Sequence, residues 1–187
     1  MSEELDFLIE ETNESMQNAL VHLEREFQKI RTGKASTQML EGIKIEYYGA
    51  VTPLEQLSNI NTPDPKQIII QPWDKNTLPL IEKAIMAANL GFNPKNDGEV
   101  LRIVVPPLTE ERRKELVKKA RIEAENAKVS IRNIRRNSND AAKKLEKEGV
   151  PEDLVKKAQN DIQEMTDNFI IKTDKLLAQK EKDIMTV

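Results

Sequence analysis

Residues 109–147 carry one uninterrupted stripe of apolar and small side chains, spaced alternately by three and four positions. The stripe consists of Val117, Ala120, Ala124, Ala127, Ile131, Ile134, Ser138, Ala141 and Leu145. This spacing places the whole stripe on one face of an α-helix, and the small side chains let partner helices approach closely. Since each helical residue adds about 1.5 Å, the helix would extend about 58 Å. The segment therefore predicts an elongated helical bundle rather than a compact ball.

Two other segments carry matching stripes. The first contains Leu5, Ile9, Thr12, Met16, Ala19, Leu23, Phe27 and Ile30, and the last contains Val155, Ala158, Ile162, Met165, Phe169 and Leu176. Gly149 suits the end of the second helix and Pro151 the start of the third, so a short turn predicts an antiparallel pair. Two helices would leave a seam exposed to water. We therefore expect the first helix to complete a three-helix bundle.

The middle of the chain has a different pattern. Strands are predicted around Ile43–Tyr47, Ile68–Ile70 and Val100–Val105, and a short helix over Leu80–Ala88. Asn96-Asp97-Gly98 is a strong turn signal before the last strand. Residues 32–105 thus predict a small α+β domain inserted into the bundle, which makes the fold class α+β.

In this topology the bundle is formed by two separate parts of the chain, residues 1–31 and 106–187. The inserted domain is then attached by two short connections with little shared core, which predicts a hinge. The predicted hinge residues are Arg31, Thr32, Gly33, Val105, Pro106 and Pro107.

The charge of residues 109–147 is opposite to that of the remaining chain. The segment holds 13 Lys and Arg against 7 Asp and Glu, although the whole chain has a formal net charge of −3. Measured around the helix from Ala127, Arg135, Lys128, Arg132 and Arg136 lie at about 80°, 100°, 140° and 180°. We call these four residues the basic ridge. Only Asp140 adds an acidic side chain between Asn126 and Leu145.

Two interpretations of the basic ridge are open. Arginines at its centre suit forked contacts to phosphate oxygens, and the ridge has no aromatic residue for stacking on unpaired bases. This favours binding to the shape of folded RNA. The alternative is a solvated helix face whose cations pair with Glu123, Glu125 or the neighbouring helices.

Other classes of function find little support in the sequence. Cysteine is absent, histidine occurs once, and no Gly-rich phosphate-binding loop is present. We therefore expect no catalytic residue, no cofactor and no metal site. No apolar run is long enough to cross a membrane, and the acidic N-terminus is unlike a targeting segment. We expect a soluble cytoplasmic protein.

Several short motifs, in order along essentially the whole chain, resemble the bacterial ribosome recycling factor family. The motifs are residues 29–36 (KIRTGKAS), 46–49 (EYYG), 52–54 (TPL), 82–85 (EKAI), 90–94 (LGFNP), 107–113 (PLTEERR) and 132–136 (RNIRR). The resemblance implies a three-helix bundle that carries a hinged β/α/β domain. It also implies a translation factor that is not an enzyme and that acts with elongation factor G and GTP to split post-termination ribosomes into subunits.

The resemblance also implies roles for particular residues. The ribosomal-RNA-binding arginines of the family correspond to Arg132 and Arg135, with Arg136 beside them, and the hinge of the family matches residues 31–33 and 106–107. The expected partners are the large-subunit ribosomal RNA and elongation factor G, with no membrane, and the chain is expected to be a monomer. The alternative function is a non-catalytic helical adaptor that binds another protein.

Overall fold

The computed structural model describes residues 2–186, so Met1 and Val187, which belong to the predicted bundle, lie outside the described residues. In chain order the elements are α1 (Glu3–Gln28), β1 (Lys44–Tyr47), β2 (Ala50–Pro53), α2 (Leu54–Leu57), β3 (Ser58–Asp64), β4 (Gln67–Pro72), α3 (Leu78–Ala87), β5 (Pro94–Asn96), β6 (Leu101–Val104), α4 (Glu110–Lys147) and α5 (Glu152–Met185). Single turns of 3₁₀ helix cover Thr37–Leu40 and Lys75–Thr77. Contacts divide the chain into two units, residues 2–32 with Glu110–Thr186 and residues Gly33–Thr109.

The first unit is a bundle of α1, α4 and α5. Contacts between α4 and α5 join Arg121 to Glu181 and Arg135 to Gln163, so numbering rises on one helix as it falls on the other. The two helices are therefore antiparallel, as their short connection predicts. Leu5 packs near Ala142 at one end of the bundle, so α1 also runs antiparallel to α4.

The turn between α4 and α5 is built as the sequence predicts. Gly149 has φ +111°, a left-handed conformation that ends the helix without the steric cost of a side chain. The Val150 amide donates to the Leu145 carbonyl at 3.0 Å, and the Gly149 amide donates to the Glu146 carbonyl at 3.1 Å. These two bonds satisfy carbonyls at the helix end and reverse the chain direction.

The predicted apolar stripe of α4 is buried at most of its central positions and only half-buried at Val117, Ala141 and Leu145. Ala120, Ala124, Ala127, Ile131 and Ser138 are buried as predicted. However, the structure buries Leu116 and Ala142, where the 3–4 alternation predicted Val117 and Ala141. The buried stripe thus follows a period longer than 3.5 and close to the 3.6 of a straight helix.

The second unit combines two antiparallel sheets with α2 and α3. β1 pairs with β2, and a four-stranded sheet has the order β3-β4-β6-β5. Its buried face contains Ile68, Ile70, Leu101 and Ile103, which pack with α3 side chains such as Ile81 in one core. The α+β class, with three long helices and a small mixed unit, is therefore confirmed.

Proline and polar side chains explain why half of the strands were not predicted. Pro63 lies in β3 and Pro94 in β5, which form the two edges of the sheet. Proline is tolerated at an edge because no ladder hydrogen bond is needed on the outer side. β3 also has a register shift between Asn61 and Asp64. Such polar edge strands carry no clear alternating pattern.

Candidate nucleic-acid interface

The basic ridge lies on the central turns of α4, beside the buried stripe. Arg132 and Arg136 are exposed, whereas Lys128 and Arg135 are half-buried against the bundle. The opposite face of α4 packs against α1 and α5 through residues such as Ile131, which is fully buried. This packing keeps α4 rigid. The four cations are thus presented along one side of a single rigid element.

Lys128 is the most enclosed cation of the basic ridge. Its Nζ lies 2.5 Å from Oδ1 of Asp174 on α5, and its side chain is 19% exposed. Because this lysine already has a carboxylate partner, much of its charge is neutralised within the bundle.

Arg135 also reaches α5 but finds a neutral partner there. Its Nη1 donates to Oε1 of Gln163 at 3.3 Å, and Nε2 of Gln163 donates to Oδ1 of Asp167 at 2.9 Å. The guanidinium is therefore held in place by an amide rather than by a direct ion pair. Sequence reasoning did not identify Gln163, Asp167 or Asp174, since only the packing of α5 on α4 brings them to the basic ridge.

The two exposed arginines differ from each other. Nη1 of Arg132 lies 3.2 Å from Oε1 of Glu125, with side chains 44% and 59% exposed. This is one of the pairings that the alternative interpretation anticipated. Such exposed pairs contribute only about 0–1 kcal/mol, so a phosphate can replace Glu125 at little cost. Arg136 makes no ion pair or hydrogen bond with any side chain between residues 2 and 186.

Several cations elsewhere on α4 are paired with nearby carboxylates. Arg112 pairs with Glu115, Lys114 with Glu110, Arg121 with Glu181 and Lys144 with Glu148. The centre of α4 is different, since Asp140 is its only acid between residues 126 and 145. Within the basic ridge, Arg135 and Arg136 are therefore the two cations that have no carboxylate partner among residues 2–186. Guanidinium groups of this kind suit forked contacts to phosphate oxygens.

Of the predicted hinge residues, Arg31, Thr32 and Gly33 flank the first passage between the two units. The other three, Val105, Pro106 and Pro107, lie within the second unit, which the chain leaves at Thr109. Gly33 has φ +79°, and a Cβ atom there would lie 3.0 Å from Cγ of Leu108. Val105 is buried, and its amide donates to the Lys66 carbonyl at 2.8 Å, so this residue is anchored in the second unit. Pro106 and Pro107 are exposed, as is Arg31, and Thr32 is half-buried.

No group of three or more His, Asp or Glu side chains among residues 2–186 is arranged to hold a metal ion. Within the same residues, none of the helices is long and apolar enough to span a membrane.

Comparison with known proteins identifies the family. The family model described as "Ribosome recycling factor" matches residues 23–185. The chain is 54% identical to the ribosome-recycling factor of Flavobacterium johnsoniae, with full coverage of both chains, and 54% identical to that of Staphylococcus carnosus, covering 96% of this chain and 98% of the relative.

Solved structures of ribosome recycling factors are also similar to this chain. A solution structure of the ribosome recycling factor superposes with a TM-score of 0.77 at 43% identity and full coverage of both chains. A second similar chain is the Thermus thermophilus ribosome recycling factor, in models of this factor and Escherichia coli elongation factor G bound to the Escherichia coli post-termination complex. Its TM-score is 0.62 at 48% identity, and the match covers 97% of this chain and 99% of that one. The chain therefore belongs to the ribosome recycling factor family, whose members are non-catalytic translation factors.

Proposed function

We propose that this protein binds the post-termination ribosome through its basic ridge on large-subunit ribosomal RNA and, with elongation factor G and GTP, separates the ribosome into subunits. The observation that carries the proposal is that, among the described residues, Arg135 and Arg136 of the basic ridge have no carboxylate partner and lie on one rigid helix. A similar structure, 48% identical, is described together with elongation factor G on a post-termination complex. The protein acts in the cytoplasm as a monomer.

The proposed role in splitting is that of a strut. Rigid helices cannot do work without an energy source, and the chain has no Gly-rich loop to hold a nucleotide phosphate. The bundle holds the RNA while the partner, driven by GTP, pushes on the second unit. Residues 1–31 with 106–187 and residues 32–105 act as two domains, and the chain bends at Arg31, Thr32, Gly33, Pro106 and Pro107. Val105 forms the fixed edge of this hinge because its amide bonds to Lys66.

Binding is tested by co-sedimentation with purified ribosomes over a range of salt concentrations. Each phosphate contact contributes about 0.7–0.9 to the slope of log affinity against log salt. Arg135→Gln should weaken binding and reduce this slope, because one cation is removed while helicity is kept. Arg25→Gln, at an exposed site on α1, removes the same charge outside α4 and is the matched control.

An unchanged slope and affinity for Arg135→Gln would contradict the ribosomal RNA proposal. Ribosome binding that persists unchanged at high salt would instead favour the helical adaptor, which binds protein through apolar contacts.

Splitting is tested with post-termination ribosomes, elongation factor G and GTP, followed by light scattering. The complete mixture should separate subunits rapidly, whereas the protein alone should do so only slowly and at high concentration. Replacing Pro106 and Pro107 by glycine should preserve binding but slow splitting, because a freely flexible connection transmits less force. GTP hydrolysis by the purified chain, without its partner, would overturn the strut mechanism.

A further inference from the structure

Three of the four cations of the basic ridge have side-chain partners among the described residues, and these partners differ chemically. Lys128 and Arg132 each face a carboxylate, at 2.5 Å from Asp174 and 3.2 Å from Glu125. Arg135 alone among them is held by a neutral acceptor, Oε1 of Gln163. A neutral acceptor fixes the direction of a guanidinium without cancelling its charge.

The orientation of the Gln163 amide is set by its second neighbour. Its Nε2 donates to Oδ1 of Asp167, one turn further along α5, so its oxygen is the end that faces Arg135. The reversed amide would place an NH₂ group against the guanidinium and an oxygen against the carboxylate, and both contacts would be repulsive. Asp167 therefore acts on Arg135 only through Gln163.

We propose that Gln163, oriented by Asp167, is a positioning residue that holds the Arg135 guanidinium ready for a phosphate while leaving its positive charge available. The inference rests on the proposed ribosomal RNA binding and assigns roles on α5, a helix outside the basic ridge. A carboxylate at position 163 would compete directly with the phosphate. The amide of Gln163 fixes the orientation of the Arg135 guanidinium, as a carboxylate would, but it does not compete with the phosphate.

The same helix provides a matched control pair. Nε2 of Gln179 donates to Oδ1 of Asp183 at 2.9 Å, which is the same Gln–Asp spacing on the same helix. Gln179 lies about 24 Å along α5 from Gln163, at about 1.5 Å per residue. Gln179→Glu therefore adds the same negative charge to α5 without placing it beside Arg135.

The experiment measures ribosome co-sedimentation of the full-length protein against salt for Gln163→Glu, Gln163→Ala and Gln179→Glu. Gln163→Glu should lower affinity about tenfold and reduce the salt slope by about 0.7–0.9, because Arg135 becomes tied to the new carboxylate. Gln163→Ala should lower affinity about threefold with an unchanged slope, since the guanidinium keeps its charge but loses its order. Circular dichroism should show equal helicity for all variants.

A double substitution separates the effect of position 163 on Arg135 from the general effect of a negative charge added to α5. In an Arg135→Gln background, Gln163→Glu should reduce affinity no more than Gln179→Glu does, because no guanidinium remains for it to capture.

The outcomes distinguish this inference from the proposed function. If Arg135→Gln weakens binding but Gln163→Glu matches Gln179→Glu in the wild-type background, the positioning role is wrong and RNA binding stands. If Arg135→Gln has no effect, RNA binding through the basic ridge itself is wrong.

Discussion

The hydroxyl groups of Thr12 and Ser138 lie 2.7 Å apart inside the bundle, where α1 meets α4. Both side chains are buried. Thr12 donates its only hydroxyl hydrogen to the Leu8 carbonyl at 2.6 Å, so Ser138 must donate to Thr12. A shift of α1 along α4 would separate the pair and leave a buried hydroxyl unsatisfied, so the pair fixes the alignment of the two helices.

The Thr12–Ser138 bond should appear in a double-mutant cycle. Thr12→Val keeps the shape of the side chain but leaves Ser138 without its acceptor, which should lower the free energy of unfolding by about 1–3 kcal/mol. Ser138→Ala should cost about 0.5–1.5 kcal/mol, since Thr12 keeps its bond to Leu8. The double variant should cost less than the sum of the two, measured by urea unfolding of helicity. Strict additivity would show that the pair contributes no coupling.

Gly33 should be more sensitive to alanine than another glycine of the same unit. Its φ is +79°, and an added Cβ would lie 3.0 Å from Leu108 Cγ, whereas Gly91 has φ +83° and no atom within 4 Å of such a Cβ. Gly91→Ala should therefore cost about 1–2 kcal/mol from the backbone alone, and Gly33→Ala about 1 kcal/mol more from the contact. Urea unfolding of this unit is followed by the NMR amide signals of its fully buried core residues, such as Ile68 and Ile103.

Leu108→Ala provides the check on the Gly33 prediction. Removing the leucine side chain should bring the cost of Gly33→Ala down to that of Gly91→Ala. A cost that stays unchanged in the Leu108→Ala background would mean that backbone strain alone is responsible.

Asp97 should make the stability of the second unit depend on pH below about 4. The Val100 amide, the Arg102 guanidinium and the Glu99 amide all donate to its carboxylate, in that order of importance, and they lower its pKa. Since the folded pKa is below the ordinary value of about 3.9, the contribution is complete above that value and is lost as pH falls through the folded pKa.

Asp97→Asn tests this pH dependence in urea unfolding followed by the NMR amide signals of the second unit. The variant should be less stable than the wild type at neutral pH, and the difference should shrink as pH falls below about 4. Glu41→Gln, at an exposed carboxyl of the same unit, is the control and should leave the profile unchanged. A constant difference between wild type and Asp97→Asn at all pH values would refute the role of this carboxylate.

Asp174→Asn should strengthen ribosome binding if the basic ridge binds phosphate. Asp174 neutralises Lys128 at 2.5 Å, so its removal frees one cation for the RNA. The salt slope should increase by up to about 0.7–0.9, while stability changes by less than about 1 kcal/mol because Asp174 is 55% exposed. Glu164→Gln, which removes one exposed charge elsewhere on α5, is the comparison. Equal effects of the two variants would show that Lys128 is not released.

The sequence predicted the elements that are stabilised by regular, local patterns. The stripes of α1, α4 and α5 repeat at helical spacing over many turns, and Gly149 marks a turn that needs a left-handed residue. The basic ridge was predicted for the same reason, since all four cations lie on one helix whose rotation per residue is known. Strands β2 and β5 were missed because they are short, and β3 was missed because its side chains are mostly polar and exposed and carry no alternating pattern.

Only the tertiary structure decided which cations of the basic ridge keep their charge available. Lys128 meets Asp174 and Arg135 meets Gln163 because α5 returns along α4 after a tight turn, and this brings together residues far apart in sequence. The alignment of the helices also set the ends of the buried stripe, at Leu116 and Ala142 instead of Val117 and Ala141. Periodicity is a property of one helix and is encoded locally, whereas the pairing of charges depends on the axial position of one helix against another.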